Sequence, residues 1–236
     1  MPTKRPLFLT KPYSAYLHRE VPEDDRELTR VGPGTPAGEY LRSFWQPILL
    51  THQLKDLPVA IKRFGEELVA FRDKSGRIGL VEAHCPHRGT SLEYGRIEER
   101  GIRCCYHSWL IDADGKILET PGEPEDSTLK DRLYHGAYAV TDYNGIVFAY
   151  MGHPDKIPEF PIFDLYETPG HHLEPGIHLM PTEDGPVPNH KSCNWLQIVD
   201  NLVDPIHEEF LHATISGLQF VDKNGNPLEE LAINGE

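Results

Sequence analysis

Basic residues are scarce in this chain. Lys and Arg total 23 against 37 Asp and Glu in 236 residues, a formal net charge of −14. That surface repels phosphates, so nucleic acid and anionic membranes are excluded as primary partners. Cysteine is sparse too: the four, at positions 85, 104, 105 and 193, give no disulfide framework and fit a reducing cytoplasm. No apolar run approaches the ~18 residues of a membrane span, and Met1–Lys11 carries charge without an apolar signal-peptide core. Internal repeats and low-complexity tracts are missing. What remains, 39% hydrophobic and 25% charged residues, is ordinary globular composition, enough for one large or two small domains. A cytoplasmic location is expected.

Two short boxes carry the chemistry. Cys85-Pro86-His87 and Cys104-Cys105-Tyr106-His107 each offer one thiolate and one imidazole, and sixteen residues separate His87 from Cys104. A Cys₂His₂ set can bind zinc, but zinc sites favour paired Cys and paired His spacings. Here each Cys sits beside a His, box by box. A two-iron cluster with two Cys on one iron and two His on the other needs that alternation.

With their flanks, Cys85-Pro86-His87-Arg88-Gly89 and Cys104-Cys105-Tyr106-His107-Ser108-Trp109 resemble the C-P-H-R-G and C-x-Y-H-G-W boxes of Rieske non-haem iron oxygenases. The resemblance implies a Rieske [2Fe–2S] cluster with Cys85 and Cys104 on one iron and His87 and His107 on the other. Ser108 stands where that family usually has Gly. Cys105-Tyr106-His107 copies the C-x-H spacing of the first box, so Cys105 competes with Cys104 for the ligand role. Tyr106, His107 and Trp109 align with the family only when Cys104 is the ligand. Respiratory-chain Rieske proteins carry an extra, disulfide-bonded Cys in each box; the first box here has none.

Organisation along the chain follows from its punctuation. Residues 1–45 read as a polar, Pro-rich arm ending in a short helix, with Thr35 as N-cap and Pro36 at the first helical position. Residues 46–154 read as an antiparallel β domain, its segments 47–54, 59–64, 68–72 and 78–83 divided by turn signals. Hairpins are expected around Asp112-Ala113-Asp114-Gly115 and Tyr143-Asn144-Gly145, with both Cys/His boxes at hairpin tips. Residues 155–236 begin with a Pro- and Gly-rich linker and open a second domain.

That second region holds another signature. Apolar residues at 195, 198, 199, 202, 203, 206 and 210 keep helical spacing, and Pro205 calls for a new helix start with Asp204 as its N-cap. His207 and His212, five residues apart, fall about 140° apart on an ideal helix, so spacing alone does not pair them. The segment Asn201 to His212 nonetheless resembles the D/N-x-x-D-x₂-H-x₄-H pattern of Rieske oxygenase α subunits. The resemblance implies that His207 and His212 hold a mononuclear Fe(II) with a later carboxylate, in a facial triad. It implies that Asp204 links that iron to a neighbouring subunit's Rieske centre.

The expected fold is α+β: a Rieske-type antiparallel β domain followed by the start of a helix-grip catalytic domain. The resemblance implies the terminal component of an oxygenase (closest to phthalate dioxygenases and aromatic O-demethylases). It would use O₂ and NAD(P)H-derived electrons to hydroxylate or O-demethylate an aromatic substrate, an aromatic carboxylate in the first instance. A separate flavin and iron–sulfur reductase would supply the electrons, and the assembly would be a homotrimer. The family's third iron ligand lies far beyond His212, and the sequence ends 24 residues after it, so the chain is expected to be the N-terminal portion of a longer oxygenase. The competing reading is a Rieske ferredoxin-type electron carrier. Such carriers lack a segment like Asp204 to His212.

Overall fold

The computed structural model describes residues 5–177, 179–180, 187–188 and 191–207. Described residues within 30–189 form one compact unit; those within 1–29 and 190–236 form a second.

In the first unit, Thr35 caps the helix Pro36–Arg42, its hydroxyl accepting from the Gly38 amide. Ten strands then make two antiparallel sheets. Strands β1 (Gln46–Leu50), β2 (Val59–Arg63), β3 (Glu66–Arg72), β4 (Ile78–Glu82), β9 (Ala137–Tyr143) and β10 (Ile146–Tyr150) form the larger, in the order β1-β10-β9-β4-β3-β2. The smaller is β5 (Arg96–Glu98), β6 (Gly101–Arg103), β7 (Leu110–Ile111) and β8 (Ile117–Glu119), in chain order. Asn144 and Gly145, both at positive φ, close the β9–β10 hairpin in the two-residue form that an Asn-Gly pair predicts. Two short strands, β11 (Leu179–Met180) and β12 (Val187–Pro188), pair antiparallel later in the chain.

Strand alternation builds two cores. On β3, Leu68 and Ala70 face one way and pack with Ile48, Leu80, Val147 and Ala149. Val69 and Phe71 face the other way, towards Ile102, Ile111 and Ile117 of the smaller sheet. This second core fills the space between the sheets, and it includes Cys85, Cys104 and Trp109. At roughly 25 cal/mol per Å² of buried apolar surface it is the main cohesive force between the sheets.

Both Cys/His boxes lie at hairpin tips, as expected. The second is between β6 and β7. The first lies within the connection from β4 of the larger sheet to β5 of the smaller, where an antiparallel bridge between His84 and Ser91 closes it and the Leu92 amide donates to the Ala83 carbonyl at 2.7 Å. The change of sheet within that connection is not legible in the sequence, because a sheet change and a hairpin use the same turn residues.

In the second unit, Asn194 caps the helix Trp195–Leu202, accepting from the Leu196 amide at 3.0 Å. The short helix Arg26–Thr29 lies beside it: Asn194 Nδ2 donates to the Thr29 carbonyl and Trp195 Nε1 to that of Leu28. After a break at Val203, a new helical turn Pro205–His207 begins. The Asp204 carboxylate accepts from the Ile206 and His207 amides at 3.0 and 3.4 Å, the N-cap that Pro205 required. Among the described residues, no helix is long and apolar enough to cross a membrane.

Candidate metal centre

The two Cys/His loops share one backbone plan. The Cys85 amide donates to the Thr90 carbonyl at 2.9 Å, and the Gly89 amide donates back to Cys85 at 2.8 Å. In the second loop, Cys104 donates to Trp109 at 2.9 Å and Ser108 donates back to Cys104 at 3.1 Å. In each loop the residue four after the Cys has positive φ: 70° at Gly89 and 61° at Ser108. By this correspondence Cys104, not Cys105, is the counterpart of Cys85.

Burial follows the same division. Cys85 is 3% exposed and Cys104 2%, whereas Cys105 lies in the open. Cys85 and Cys104 belong to the same buried cluster between the sheets. Burial pushes the Cys85 thiol up to about 11; the His87 backbone pulls it down and Cys104 adds to the rise. As thiols the two belong to the apolar core. As thiolates they need a cation between them, and a coordinating thiol is deprotonated outright.

The two imidazoles are less buried than the two thiols. His87 and His107 meet edge-to-face with centroids 4.5 Å apart. His87 lies flat on the buried Trp109 indole, 4.8 Å away with planes 3° apart. Partial desolvation, His87 and the Arg88 cation together hold His107 below the ordinary imidazole value. His87 Nδ1 is buried and has no hydrogen-bond partner among the described residues. An orphaned, buried ring nitrogen is costly, and a metal ion is a partner it accepts.

These residues fit a two-iron cluster. Among the described residues, no group of three or more His, Cys, Asp or Glu side chains converges as a single-ion site would require. A [2Fe–2S] cluster needs none, because bridging sulfides complete each iron and the protein supplies a pair of ligands at each end. A zinc ion would need all four side chains around one point.

Ser108 keeps the left-handed conformation that Gly89 adopts freely. A side chain there costs roughly 1–2 kcal/mol. Arg103 holds the strained loop, its Nη1 donating to the Ser108 carbonyl at 2.8 Å. The sequence reading passed over Arg103; its position next to Cys104 is the only signal it gives.

In the other unit, Asp204 and His207 are close: the His207 ring Nδ1 lies 2.6 Å from the Asp204 carbonyl and 4.0 Å from its carboxylate. His212 lies outside the described residues.

Comparison with known proteins gives a consistent picture. The family pattern described as Rieske [2Fe–2S] domain matches residues 44–144. The chain is 46% identical over 222 residues to the tert-butanol monooxygenase / tert-amyl alcohol desaturase oxygenase subunit of Aquincola tertiaricarbonis, covering 92% of this chain and 45% of that one. It is 45% identical to the phenoxybenzoate dioxygenase subunit alpha of Ectopseudomonas oleovorans, over 89% of this chain and 52% of that one. Identity to the phthalate 4,5-dioxygenase oxygenase subunit of Pseudomonas putida is 37%, over 86% and 46%. The chain thus spans about half the length of the curated relatives it matches. Among solved structures, dicamba monooxygenase bound to dicamba superposes with a TM-score of 0.59 at 21% identity, covering 73% of this chain and 48% of that one. That likeness shows the fold.

Proposed function

Because the chain belongs to the Rieske non-haem iron oxygenase α-subunit family, we propose that it serves as the electron-receiving part of a terminal oxygenase component. Its Rieske domain holds a [2Fe–2S] cluster, with Cys85 and Cys104 on one iron and His87 and His107 on the other. The observation that carries this reading is the paired loop plan, with two buried cysteines and two imidazoles in edge-to-face contact.

When bound, such a cluster supplies one-electron transfer at a potential raised by its imidazole ligands. The residues around it set the conditions. Cys85 and Cys104 anchor one end in the core between the sheets, out of water. His87 is fixed by the Trp109 indole, which holds its ring plane. His107 lies beside the exposed Tyr106 ring, with centroids 3.8 Å apart. The imidazole end is therefore the one nearer solvent, where an electron donor approaches.

Further parts of the proposal concern the whole protein. His207 and His212 would hold a mononuclear Fe(II), with Asp204 between the two metal centres in a homotrimer. A separate NAD(P)H-dependent reductase would supply electrons, in the cytoplasm, for O₂-dependent oxidation of a small organic substrate. Two of the three relatives above are named for aromatic carboxylates and one for tertiary alcohols. An aromatic acid is proposed first, and tert-butanol is the comparison substrate.

The test begins with the cluster. Protein reconstituted with iron and sulfide is reduced and its midpoint potential measured. A Rieske centre titrates between roughly −150 and +300 mV, and a Cys₄ cluster near about −400 mV. The low value, or a colourless zinc protein, would refute the ligand assignment.

A further inference from the structure

Arg103 sits at the end of β6, directly before Cys104, with its side chain 16% exposed. Its guanidinium makes three separate contacts. Nη1 donates to the Ser108 carbonyl at 2.8 Å, Nε to Glu98 at 3.1 Å, and Nη2 pairs with Glu119 at 2.8 Å. Glu98 is on β5 and Glu119 on β8, the two edges of the smaller sheet. One cross-strand row, Arg96, Arg103, Leu110 and Glu119, runs beneath the second loop. Like charges opposite one another destabilise a sheet; here Glu98 Oε1 accepts from both Arg96 and Arg103. Glu98 bridges the two cations, Glu119 supplies the second negative charge, and the Arg103 fork is fixed.

Cys85 and its loop have no such clamp among the hydrogen bonds of the described residues, and Gly89 needs none. Ser108 does, because its backbone is left-handed while carrying a side chain. The structure thus places an anchored cation where the strained carbonyl must be held.

We propose that Arg103 is a positioning residue for the iron–sulfur centre. It holds the Ser108 carbonyl so that the Cys104–Trp109 loop keeps His107 in line with His87. The proposal rests on the reading of Cys104 and His107 as cluster ligands. Lys cannot replace the fork, since a single ammonium cannot reach three acceptors in three directions.

The test uses the reconstituted chain and four variants: Arg103→Gln, Arg103→Lys, Ser108→Gly and the double variant Arg103→Gln/Ser108→Gly. Loss of visible absorption under a chelator and the midpoint potential are read for each. Both Arg103 variants should lose the cluster about tenfold faster than the parent, the scale of an outer-shell defect. Only the Gln variant, which removes the charge, should also move the potential. Glycine at 108 adopts the left-handed loop without a clamp, so the double variant should retain its cluster within about twofold of Ser108→Gly alone. A purely structural role for Arg103 in the sheet predicts no such rescue, and its absence overturns the proposal. So does an Arg103→Gln protein that matches the parent in both retention and potential. A parent without a Rieske signal would fail before any substitution is compared; it would overturn the ligand reading, and this proposal with it.

Discussion

His87 and Trp109 lie plane against plane, 4.8 Å apart and 3° from parallel, although they come from different loops. The indole is the floor on which the first loop's imidazole rests, so the two loops are packed as one object. Trp109→Ala should cost about 3–5 kcal/mol, the usual penalty for emptying a large buried aromatic site, and should release His87. Trp109→Phe should keep the fold and much of the stacking. Urea denaturation of both variants, followed with the cluster's visible spectrum, checks this; an Ala variant as stable as the parent would contradict the packing argument.

The equivalence of Cys85 and Cys104 makes a sharp distinction between adjacent thiols. Cys104→Ala should abolish the visible absorption of the reconstituted protein, and Cys105→Ala should retain most of it. The reverse result would move the ligand register by one residue.

Asp204 supports two separable predictions. Its carboxylate caps the helical turn at Pro205, and replacing such a cap by Ala costs about 1 kcal/mol, whereas Asn is itself a good cap. Asp204→Asn should therefore leave stability unchanged while, in the full-length oxygenase, both metals stay loaded and electron passage between them stops. Single-turnover kinetics with the reduced protein tests the second half; unchanged turnover removes the proposed role.

His135 gives a pH dependence outside the metal centre. It is 4% exposed, with Nε2 at 2.8 Å from the Glu82 carbonyl. Burial holds its imidazole below the ordinary 6.5, against the upward pull of Glu82. The unfolded chain therefore binds this proton more readily than the native one. The contribution is fully present above pH ~6.5 and is lost as the pH falls towards the depressed native value. His135→Gln keeps a donor for the carbonyl but cannot titrate. Its urea midpoint should fall less than the parent's between pH 7 and pH 5; parallel curves would exclude the mechanism.

Legibility in the sequence tracked how local each feature is. The Thr35 cap and the Asn144-Gly145 hairpin could be read because a few adjacent residues determine them. So could the Asp204-Pro205 helix start, for the same reason. The Cys/His boxes could be read because their ligand types are rare and closely spaced. Arg103 could not, since its three partners lie at positions 98, 108 and 119 and meet only when four strands align. The hairpin at the first box could be read, but the change of sheet that follows it could not, because nothing near Gly89 or Tyr94 signals one. The orphaned Nδ1 of His87 and its bed on Trp109 also exist only in the packed state.

The burial of Cys85 and Cys104 between two sheets has a consequence for biogenesis. Once the sheets have closed without metal, both sulfurs are sealed in a dry interior, beyond the reach of any scaffold that delivers iron and sulfide. Loading then waits for a local opening of that interior, and its rate is set by the protein's breathing rather than by the supply of metal.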